Sequence, residues 1–474
     1  MKTFYRFRSI DNLLGEKYNE LENQSIYFAS PNQLNDPMEG FKDLVFNGDS
    51  ITYKNLFKHY LMCLERIFSL YIIGGEEHHK ITADNIPIYD SFDDFPTPMY
   101  KELFEKISKE FFEMFEDFID TIATRTTPIK RDELGLYFDT IHFITLEIIY
   151  RNYEENKLLP QRERITKIDL EVVNKIKESI NIREKLLKEE NGVEKLEALI
   201  FIQKQIHEEL ALINYAQNKF VINFPNKNFL LIDFVNIYLE SLEKLMYPNW
   251  YAACFMTESH NSSVWGHYGD SHKGVCLIFE ANEKESISFS NGKIGEDLNG
   301  IVKGNTEHKF YKVNYQEGYP EIDFFRSIGR LPIPKLYSTW YKSHSSHSKI
   351  FDDINQDQDK WRINYWDTFY KNILIKTKDW EYEKEYRLIL SGLLDDEIKK
   401  ENRILQYDFK QLKGLIFGIK TPLEDKLKII DIIANKCKIN NRSNFEFYQA
   451  YYCHKNKNIQ HKKLSLIKLK GLKK

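Results

Sequence analysis

A segment late in the chain carries the densest set of groups that could do ionic or acid–base chemistry. In Trp380–Arg387 (WEYEKEYR), Glu381, Glu383 and Glu385 alternate with other residues, and Arg387 follows. In a β-strand all four side chains would point to one face, because side chains alternate along a strand. Three carboxylates on one face repel one another unless a cation or donor offsets them. The aromatic neighbours predict partial burial, so this segment is the strongest candidate site by residue chemistry.

The first strand-like segment carries two arginines. In Thr3–Arg8 and the serine that follows, Arg6 and Arg8 alternate with aromatic residues. On a strand both guanidinium groups share one face and could hold a phosphate or carboxylate in a bidentate manner. The alternative is an edge strand whose arginines are solvated.

Two histidines flank an aspartate in Ser263–Gly274 (SVWGHYGDSHKG). A zinc site would need a third or fourth protein ligand beside His267 and His272, and the sequence offers none at a suitable spacing. A catalytic or ligand-contacting role is predicted for His267 and Tyr268. The alternative is a hydrogen-bonded turn.

A turn rich in side-chain oxygens follows the second predicted strand. Asn35, Asp36 and Glu39 lie within Phe28–Gly40 (FASPNQLNDPMEG). They could ligate a metal, but an Asn-Asp-Pro sequence usually fixes a loop by bonding its own backbone. A structural role is predicted for these three residues, and no metal is predicted.

The strand signals lie at both ends of the chain and enclose a long helical block. Strands are predicted at Thr3–Arg8 and Ser25–Ser30. After Pro248 they return at Tyr251–Thr257, Gly274–Glu280, Lys309–Tyr315, Tyr386–Leu390, Gly414–Phe417 and Glu446–Tyr452, with helices at Trp366–Lys376 and Leu423–Cys437. The predicted fold is α+β, with a mixed β-sheet core built from both chain ends and a large inserted all-helical domain. The predicted domains are residues 1–50, 51–247 (the insertion), 248–455 and a basic tail at 456–474.

Composition narrows the function classes. The net charge of −4 excludes a whole-molecule attraction to nucleic acid, although eight lysines in Lys455–Lys474 could contact phosphates. Five scattered cysteines without a C-x-x-C pair are typical of a reducing compartment. No apolar run is long enough for a membrane span, and a cytoplasmic protein is predicted. The helical insertion could bind a protein partner, and the sequence does not indicate the oligomeric state.

The polar segments together resemble the bacterial family known as domain of unknown function 2971. The matching elements are YRFRS, FASPNQLNDPMEG, Trp265–Cys276 and Trp380–Arg387, in that order, over roughly residues 1–45 and 250–455. The helical block has no counterpart in this resemblance. The family carries no proven activity.

The layout is more distantly similar to ADP-ribosyltransferases. Those enzymes place Arg or His on the first strand, a small hydroxyl residue on the second and Glu on a late strand. The resemblance implies that Arg6 or Arg8 holds the pyrophosphate of NAD, that Ser30 supports the nicotinamide side, and that Glu385 or Glu383 is catalytic. His267, Tyr268 and Arg387 would complete the cofactor pocket.

Two other functions remain open. The first is a non-catalytic sensor or adaptor that binds a nucleotide or a phage component in the same pocket. The second is a Mg²⁺-dependent nuclease using Asp36, Glu39 and the late glutamates, although no lysine has the position a PD-(D/E)xK nuclease requires. Relatives resemble accessory genes of mobile and defence islands, so an anti-phage role is expected for both functions, as a toxin or effector for the transferase and as a sensor or adaptor of a defence system for the binding protein.

Overall fold

The computed structural model describes residues 2–162, 170–217, 224–297, 300–344, 346–392 and 399–467. The chain divides into two compact units. The first contains residues 1–41, 248–319 and 369–474, and the second contains residues 42–247 and 320–368.

The strands are numbered in chain order. They are β1 Thr3–Arg8, β2 Ser25–Tyr27, β3 Asp43–Phe46, β4 Ile129–Lys130, β5 Trp250–Met256, β6 Val275–Glu280, β7 Ser286–Asp297, β8 Gly300–Lys312, β9 Asn314–Gln316, β10 Glu321–Asp323, β11 Lys342–Ser343, β12 Ser346–His347, β13 Ile375–Thr377, β14 Glu385–Ser391, β15 Ile404–Gln406, β16 Leu412–Phe417, β17 Glu446–Cys453 and β18 Asn458–Lys463.

The α-helices range from one turn to seven. They are Ile10–Leu14, Glu20–Asn23, Ser50–Gly74, Pro98–Ala123, Arg131–Glu155, Leu170–Leu186, Gly192–Gln217, Pro225–Asn228, Phe234–Leu242, Ser262–His267, Phe324–Ser327, Ile333–Leu336, Lys349–Gln356, Gln358–Ile373 and Leu423–Ile439.

The first unit is built on one large sheet. Within the described residues it has nine strands in the order β18-β17-β16-β6-β1-β5-β14-β8-β7. Only β16 and β17 pair in parallel there; the other neighbours are antiparallel. The first strand of the chain therefore lies in the middle of strands from the C-terminal half, and the predicted α+β fold with a mixed sheet from both chain ends is confirmed.

Both faces of this sheet are covered. On one face Phe4, Leu277 and Phe279 join a hydrophobic core that also contains Ile429 and Ile433 of the helix Leu423–Ile439. On the other face Phe7, Met256 and Cys276 pack with Trp265. Neighbours in β1 thus enter different cores, as the alternation of side chains along a strand requires.

The second unit is mainly helical. Its longest helices, Ser50–Gly74, Pro98–Ala123 and Arg131–Glu155, bury aromatic and aliphatic side chains such as Tyr60 and Phe138. It also contains a small sheet in the order β10-β3-β4, so the block predicted to be all-helical includes the short strand β4. Residues 320–368 belong to this unit, whereas the sequence analysis assigned them to the C-terminal part of the core.

Several predicted element bounds are corrected. The helix predicted at Trp366–Lys376 ends at Ile373, and Lys376 instead lies in β13, which pairs in parallel with β9. The predicted basic tail contains β18, which pairs with β17 at the sheet edge. Residues 468–474 of that tail lie outside the described residues.

Candidate functional site

The segment Trp380–Arg387 is not one strand. Lys378–Glu383 forms a 3-10 helix, and Lys384 has a left-handed backbone with φ 48° and ψ 49°. The strand β14 begins only at Glu385. The prediction that Glu381, Glu383 and Glu385 alternate on one strand face is therefore wrong, because the turn at Lys384 breaks the period of two.

Glu385 and Arg387 nevertheless share a face, because both lie in β14. Glu385 pairs with Met256 of β5, and Met256 pairs with Tyr5 of β1, so these three residues form a row across three neighbouring strands. Arg387 lies two residues after Glu385 in β14 and is paired with Cys254 of β5.

The carboxylate of Glu385 is bound by two cations. Arg387 donates from Nε to Oε1 over 2.8 Å and from Nη2 to Oε2 over 3.2 Å, and Lys376 Nζ donates to Oε2 over 3.2 Å. Burial alone would raise the pKa of Glu385, but Arg387 and Lys376 outweigh burial and lower it to about 2. Glu385 is therefore a fixed negative charge.

Glu39 joins the same cluster from the turn after β2. Arg387 donates two hydrogen bonds to Glu39, from Nη1 to Oε2 over 2.9 Å and from Nη2 to Oε1 over 2.5 Å, so the pair is bidentate. Burial, with Glu385 nearby, raises the pKa of Glu39 against the opposing effect of Arg387 and Lys376. The purely structural role predicted for Glu39 omitted this ion pair.

Lys376 is the residue that the sequence analysis missed. Its Nζ lies 2.8 Å from Glu383 Oε2 and 3.6 Å from Glu39 Oε1, in addition to its bond to Glu385. Burial would lower the pKa of Lys376, and the three carboxylates raise it above the usual value. Three carboxylates and two cations thus form one buried cluster with a formal charge of −1.

Glu383 differs from Glu385 in what surrounds it. Tyr268 donates its hydroxyl to Oε1 over 2.6 Å, while Lys376 holds Oε2. Burial raises the pKa of Glu383, and Glu385 adds to this against the opposing effect of Lys376. The pKa of Glu383 is therefore raised and the pKa of Glu385 is lowered, although the two residues are only two positions apart.

Half-buried aromatic side chains lie beside Glu383. Tyr268, Tyr382 and Trp380 are partly accessible, and His267 is exposed. The Tyr382 hydroxyl and His267 Nδ1 are 3.2 Å apart, and the rings of Trp380 and Tyr382 are 6.2 Å apart. Lys376 Nζ lies 4.6 Å from the Trp380 ring centre. The structure thus brings Tyr268 to Glu383 and His267 to Tyr382, beside the late glutamates.

The rest of Ser263–Gly274 matches the alternative of a hydrogen-bonded turn. Three consecutive residues, Asp270, Ser271 and His272, have positive φ values of 47°, 52° and 69°. The backbone N–H groups of Ser271 and His272 donate to Gly266 and Trp265. His272 therefore fixes the turn, while His267 and Tyr268 face the glutamates.

Arg6 and Arg8 lie on the opposite face of the sheet from Glu385. Tyr5 is in the row of Glu385, so its neighbour Arg6 points to the other face, towards the Phe255 ring. Arg8 pairs with Glu20. The structure does not bring either arginine to the glutamates, and neither fits the pyrophosphate of a nucleotide placed at Glu383.

Ser30 is also separate from the glutamates. Its hydroxyl donates to Asn32 Oδ1 over 2.6 Å, and its backbone N–H donates to Gln33, so it caps the short 3-10 helix Pro31–Gln33. Asp36 Oδ1 accepts from the backbone of Met38 over 2.9 Å, as the predicted structural turn requires, and Asn35 is exposed.

Comparison with known proteins identifies one family. Residues 264–388 match the sequence model of DUF2971, described as a protein of unknown function. The chain resembles this family. The DUF2971 match includes the two motifs Trp265–Cys276 and Trp380–Arg387 that carried the predicted resemblance, which is confirmed there. The other two motifs, YRFRS and FASPNQLNDPMEG, lie outside the matched residues.

No curated protein and no solved structure matches the chain. Across the described ranges, no helix is long and apolar enough to cross a membrane. Among the same residues no group of three or more His, Cys, Asp or Glu side chains is placed to hold a metal ion. In the glutamate cluster, Lys376 and Arg387 bind the carboxylates directly.

Proposed function

We propose that the first unit is an NAD-consuming enzyme of the ADP-ribosyltransferase or NAD glycohydrolase type, with Glu383 as the reacting carboxylate. The observation that carries this proposal is the division of roles between Glu383 and Glu385. Pairs of carboxyl groups whose environments push their pKa values apart are typical of sites for acid–base chemistry. Glu385 supplies the fixed charge, and Glu383 is the carboxylate next to partly accessible aromatic rings.

The strand order supports the same proposal. In ADP-ribosyltransferases, residues of a first strand, a second strand and a late strand with a glutamate together form the site. In this chain the neighbouring strands β1, β5 and β14 offer such a set. In this arrangement β5, rather than the segment containing Ser30, takes the place of the second strand. The hydroxyl residues Thr257 and Ser259 directly follow β5. On β1 the residue in the row of Glu385 is Tyr5, not Arg6 or Arg8.

Cleavage of NAD between nicotinamide and ribose requires a negative charge beside a surface that binds an aromatic ring. When the bond between nicotinamide and ribose breaks, positive charge develops on the ribose and the electron pair leaves with nicotinamide. A carboxylate held in place stabilises that charge without reorganising. Lys376 and Tyr268 hold Glu383, and Tyr268, Tyr382 and Trp380 offer aromatic faces for a planar ring.

The test is nicotinamide release from NAD by the purified full-length chain. We expect Glu383→Gln to lower the rate about 10²–10³-fold, the usual effect of removing a transition-state electrostatic partner. Glu381→Gln is the matched control, because Glu381 lies in the same segment but is exposed. A wild-type chain that binds NAD without releasing nicotinamide, or a fully active Glu383→Gln variant, contradicts the proposal.

A non-catalytic nucleotide sensor is the second candidate. It is favoured by the complete pairing and burial of the five charged groups, which is also how a purely structural ion cluster looks. In that case NAD or another nucleotide quenches the fluorescence of Trp380 and no product forms. The Mg²⁺-dependent nuclease is disfavoured because Lys376 and Arg387 neutralise the carboxylates.

The expected role as a toxin or effector in anti-phage defence belongs to the same proposal. If it holds, expression of the wild-type chain in a bacterial host lowers cellular NAD and growth, and Glu383→Gln relieves both. Normal NAD levels in growth-arrested cells would separate toxicity from NAD consumption.

The helix Gly192–Gln217 supports the predicted partner surface of the helical insertion. Phe201 and Leu212 are about two-thirds exposed, at 68% and 70%, and Leu199, Ile202, Ile206 and Ile213 are about half exposed. Leu199, Ile202 and Ile206 follow the three- and four-residue spacing of a coiled-coil seam, and Ile213 lies one heptad after Ile206, with Glu209 at the position between them. We propose that a second copy of this chain covers this seam, because an exposed apolar stripe is complementary to an identical stripe and the seam carries charges of both signs, Lys204 and Glu209.

A further inference from the structure

A buried arginine on the sheet face opposite the glutamates has no carboxylate of its own. Arg6 is 5% exposed. The carboxylate of Glu20, whose charge acts on Arg6, is bound through both oxygens by Arg8, with Nε to Oε2 at 2.7 Å. Among the described residues the Arg6 guanidinium makes two long bonds, both to backbone carbonyls, from Nη1 to Cys254 at 3.3 Å and from Nη2 to Tyr27 at 3.4 Å.

Nε of Arg6 and the hydroxyl of Tyr407 are buried donors that have no hydrogen-bond partner among the described residues. Tyr407 is 2% exposed and its ring packs against Phe279, in the core on the Arg6 face. Arg6 pairs with Leu277 of β6, two residues from Phe279 on the same sheet face, so Tyr407 lies beside Arg6 through its ring contact with Phe279. Each of the two groups also shifts the pKa of the other.

The gap that admits Arg6 is part of the sheet topology. The strands β1 and β5 pair only at Tyr5 and Met256 and then separate. Further along β5, Ala252 instead exchanges backbone bonds with Ala29, which follows β2. The Arg6 guanidinium lies between the two connections, bonded to β5 on one side and β2 on the other.

Such an arrangement is costly unless something accepts the donors. A buried cation without a counter-charge loses its hydration, and each buried unpaired donor adds a desolvation cost of about 1–3 kcal/mol. The local charge is positive, because Arg6 and Arg8 share the single carboxylate of Glu20. A small oxyanion would offset the charge and accept both donors at once.

We propose that Arg6 and Tyr407 bind a small oxyanion, of the phosphate or carboxylate class, on the sheet face opposite Glu383. This site is independent of the proposed NAD chemistry. It also gives Arg6 a role that its distance from the glutamates otherwise leaves without explanation.

Isothermal titration calorimetry of the full chain with inorganic phosphate, and separately with acetate, tests the site. Titration with sodium chloride at matched ionic strength corrects for general salt effects. We expect saturable binding of at least one oxyanion with a stoichiometry of one. The phosphate and acetate arms identify which class the site prefers.

Tyr407→Phe is the decisive variant, since it removes one hydroxyl and leaves the packed ring. We expect it to weaken oxyanion binding about tenfold or more, as the loss of a hydrogen bond to a charged group does. Tyr5→Phe, on the other face of the sheet, should leave binding unchanged. Arg6→Lys keeps the charge but removes the Nε donor, and it should weaken binding while the chain stays folded.

Two results would overturn the site. One is the absence of saturable binding in both oxyanion titrations, in which case water satisfies the two donors. The other is binding that Tyr407→Phe and Arg6→Lys both leave at the wild-type affinity, which would place the anion elsewhere.

Discussion

At the scale of single residues, the two central glutamates should respond differently to the same substitution. Arg387 donates to both oxygens of Glu385, so a glutamine amide there places its NH₂ group against a cation in either orientation. In Glu383 one oxygen accepts from the Tyr268 hydroxyl, which can rotate to accept from an amide instead. We therefore expect Glu385→Gln to lower the free energy of unfolding strongly and Glu383→Gln to leave it nearly unchanged, measured by urea unfolding at pH 7. Equal losses in the two variants would contradict this assignment of roles.

The opposite pKa shifts also predict opposite pH dependences. The folded pKa of Glu385, about 2, lies below the usual 4.5, so its contribution to stability is present above pH 4.5 and is lost as pH falls towards 2. The folded pKa of Glu383 is raised, so its contribution is full below pH 4.5 and is lost as pH rises through the raised pKa. Urea unfolding from pH 2 to pH 8 should show wild type losing stability relative to Glu383→Gln as pH rises. Relative to Glu385→Gln, wild type should lose stability as pH falls below 4.5. Parallel curves for all three proteins would argue against both shifts.

Three of the five residues of the ionic cluster could be predicted from the sequence. Glu383, Glu385 and Arg387 could be recognised because they are close in sequence and chemically unusual together. Lys376 could not, since a lone lysine at the end of a helical pattern is ordinarily solvated. Glu39 was noticed but assigned to its turn, because only the folded sheet brings it within reach of Arg387.

At the scale of elements, the backbone at Lys384 is what separates Glu383 from the strand. A left-handed conformation costs a non-glycine residue about 1–2 kcal/mol. The Lys384 side chain contributes only an exposed ion pair with Glu258. We expect Lys384→Gly to raise the melting temperature slightly and Lys384→Val to lower it by several degrees, because a branched side chain fits this conformation poorly. A differential scanning calorimetry series with Lys378→Gly as the control decides this, and a stabilising valine would contradict the local geometry.

The strands that were predicted well are the buried ones. The apolar runs in β1, β5, β6 and β16 lie at the centre of the sheet, where hydrophobic content alone identifies a strand. The prediction of a single strand at Trp380–Arg387 was wrong because alternating glutamates are also the pattern of a β-strand. In addition, the left-handed residue is Lys384 and not a glycine or asparagine, so the sequence gives no sign of the turn. The pairing of β13 with β9 could not be predicted from the sequence either, because each strand has only three residues.

At the scale of the whole molecule, the apolar seam on the helix Gly192–Gln217 predicts self-association. Ile202→Glu and Ile206→Glu place charges in the centre of the seam, and a symmetric partner would bring like charges together. We expect a dimer for the wild type and a monomer for the double variant in analytical ultracentrifugation. Ile73→Glu, which changes an isolated exposed residue in the same unit, is the control. A wild-type chain that sediments as a monomer at all concentrations would contradict this proposal.

The central position of β1 has a consequence for how the protein is made. Both neighbours of β1 in the sheet, β5 and β6, begin roughly 240 or more residues after it ends. At a synthesis rate of about 5–20 residues per second, the ribosome needs on the order of 10–50 s to produce them. During that interval the strand Thr3–Arg8, with its aromatic residues, has no partner from its own sheet. The helices of residues 50–155 are complete long before, and their contacts are more local. The nascent chain therefore folds from its middle outwards, and its earliest strand is among the last to find its place.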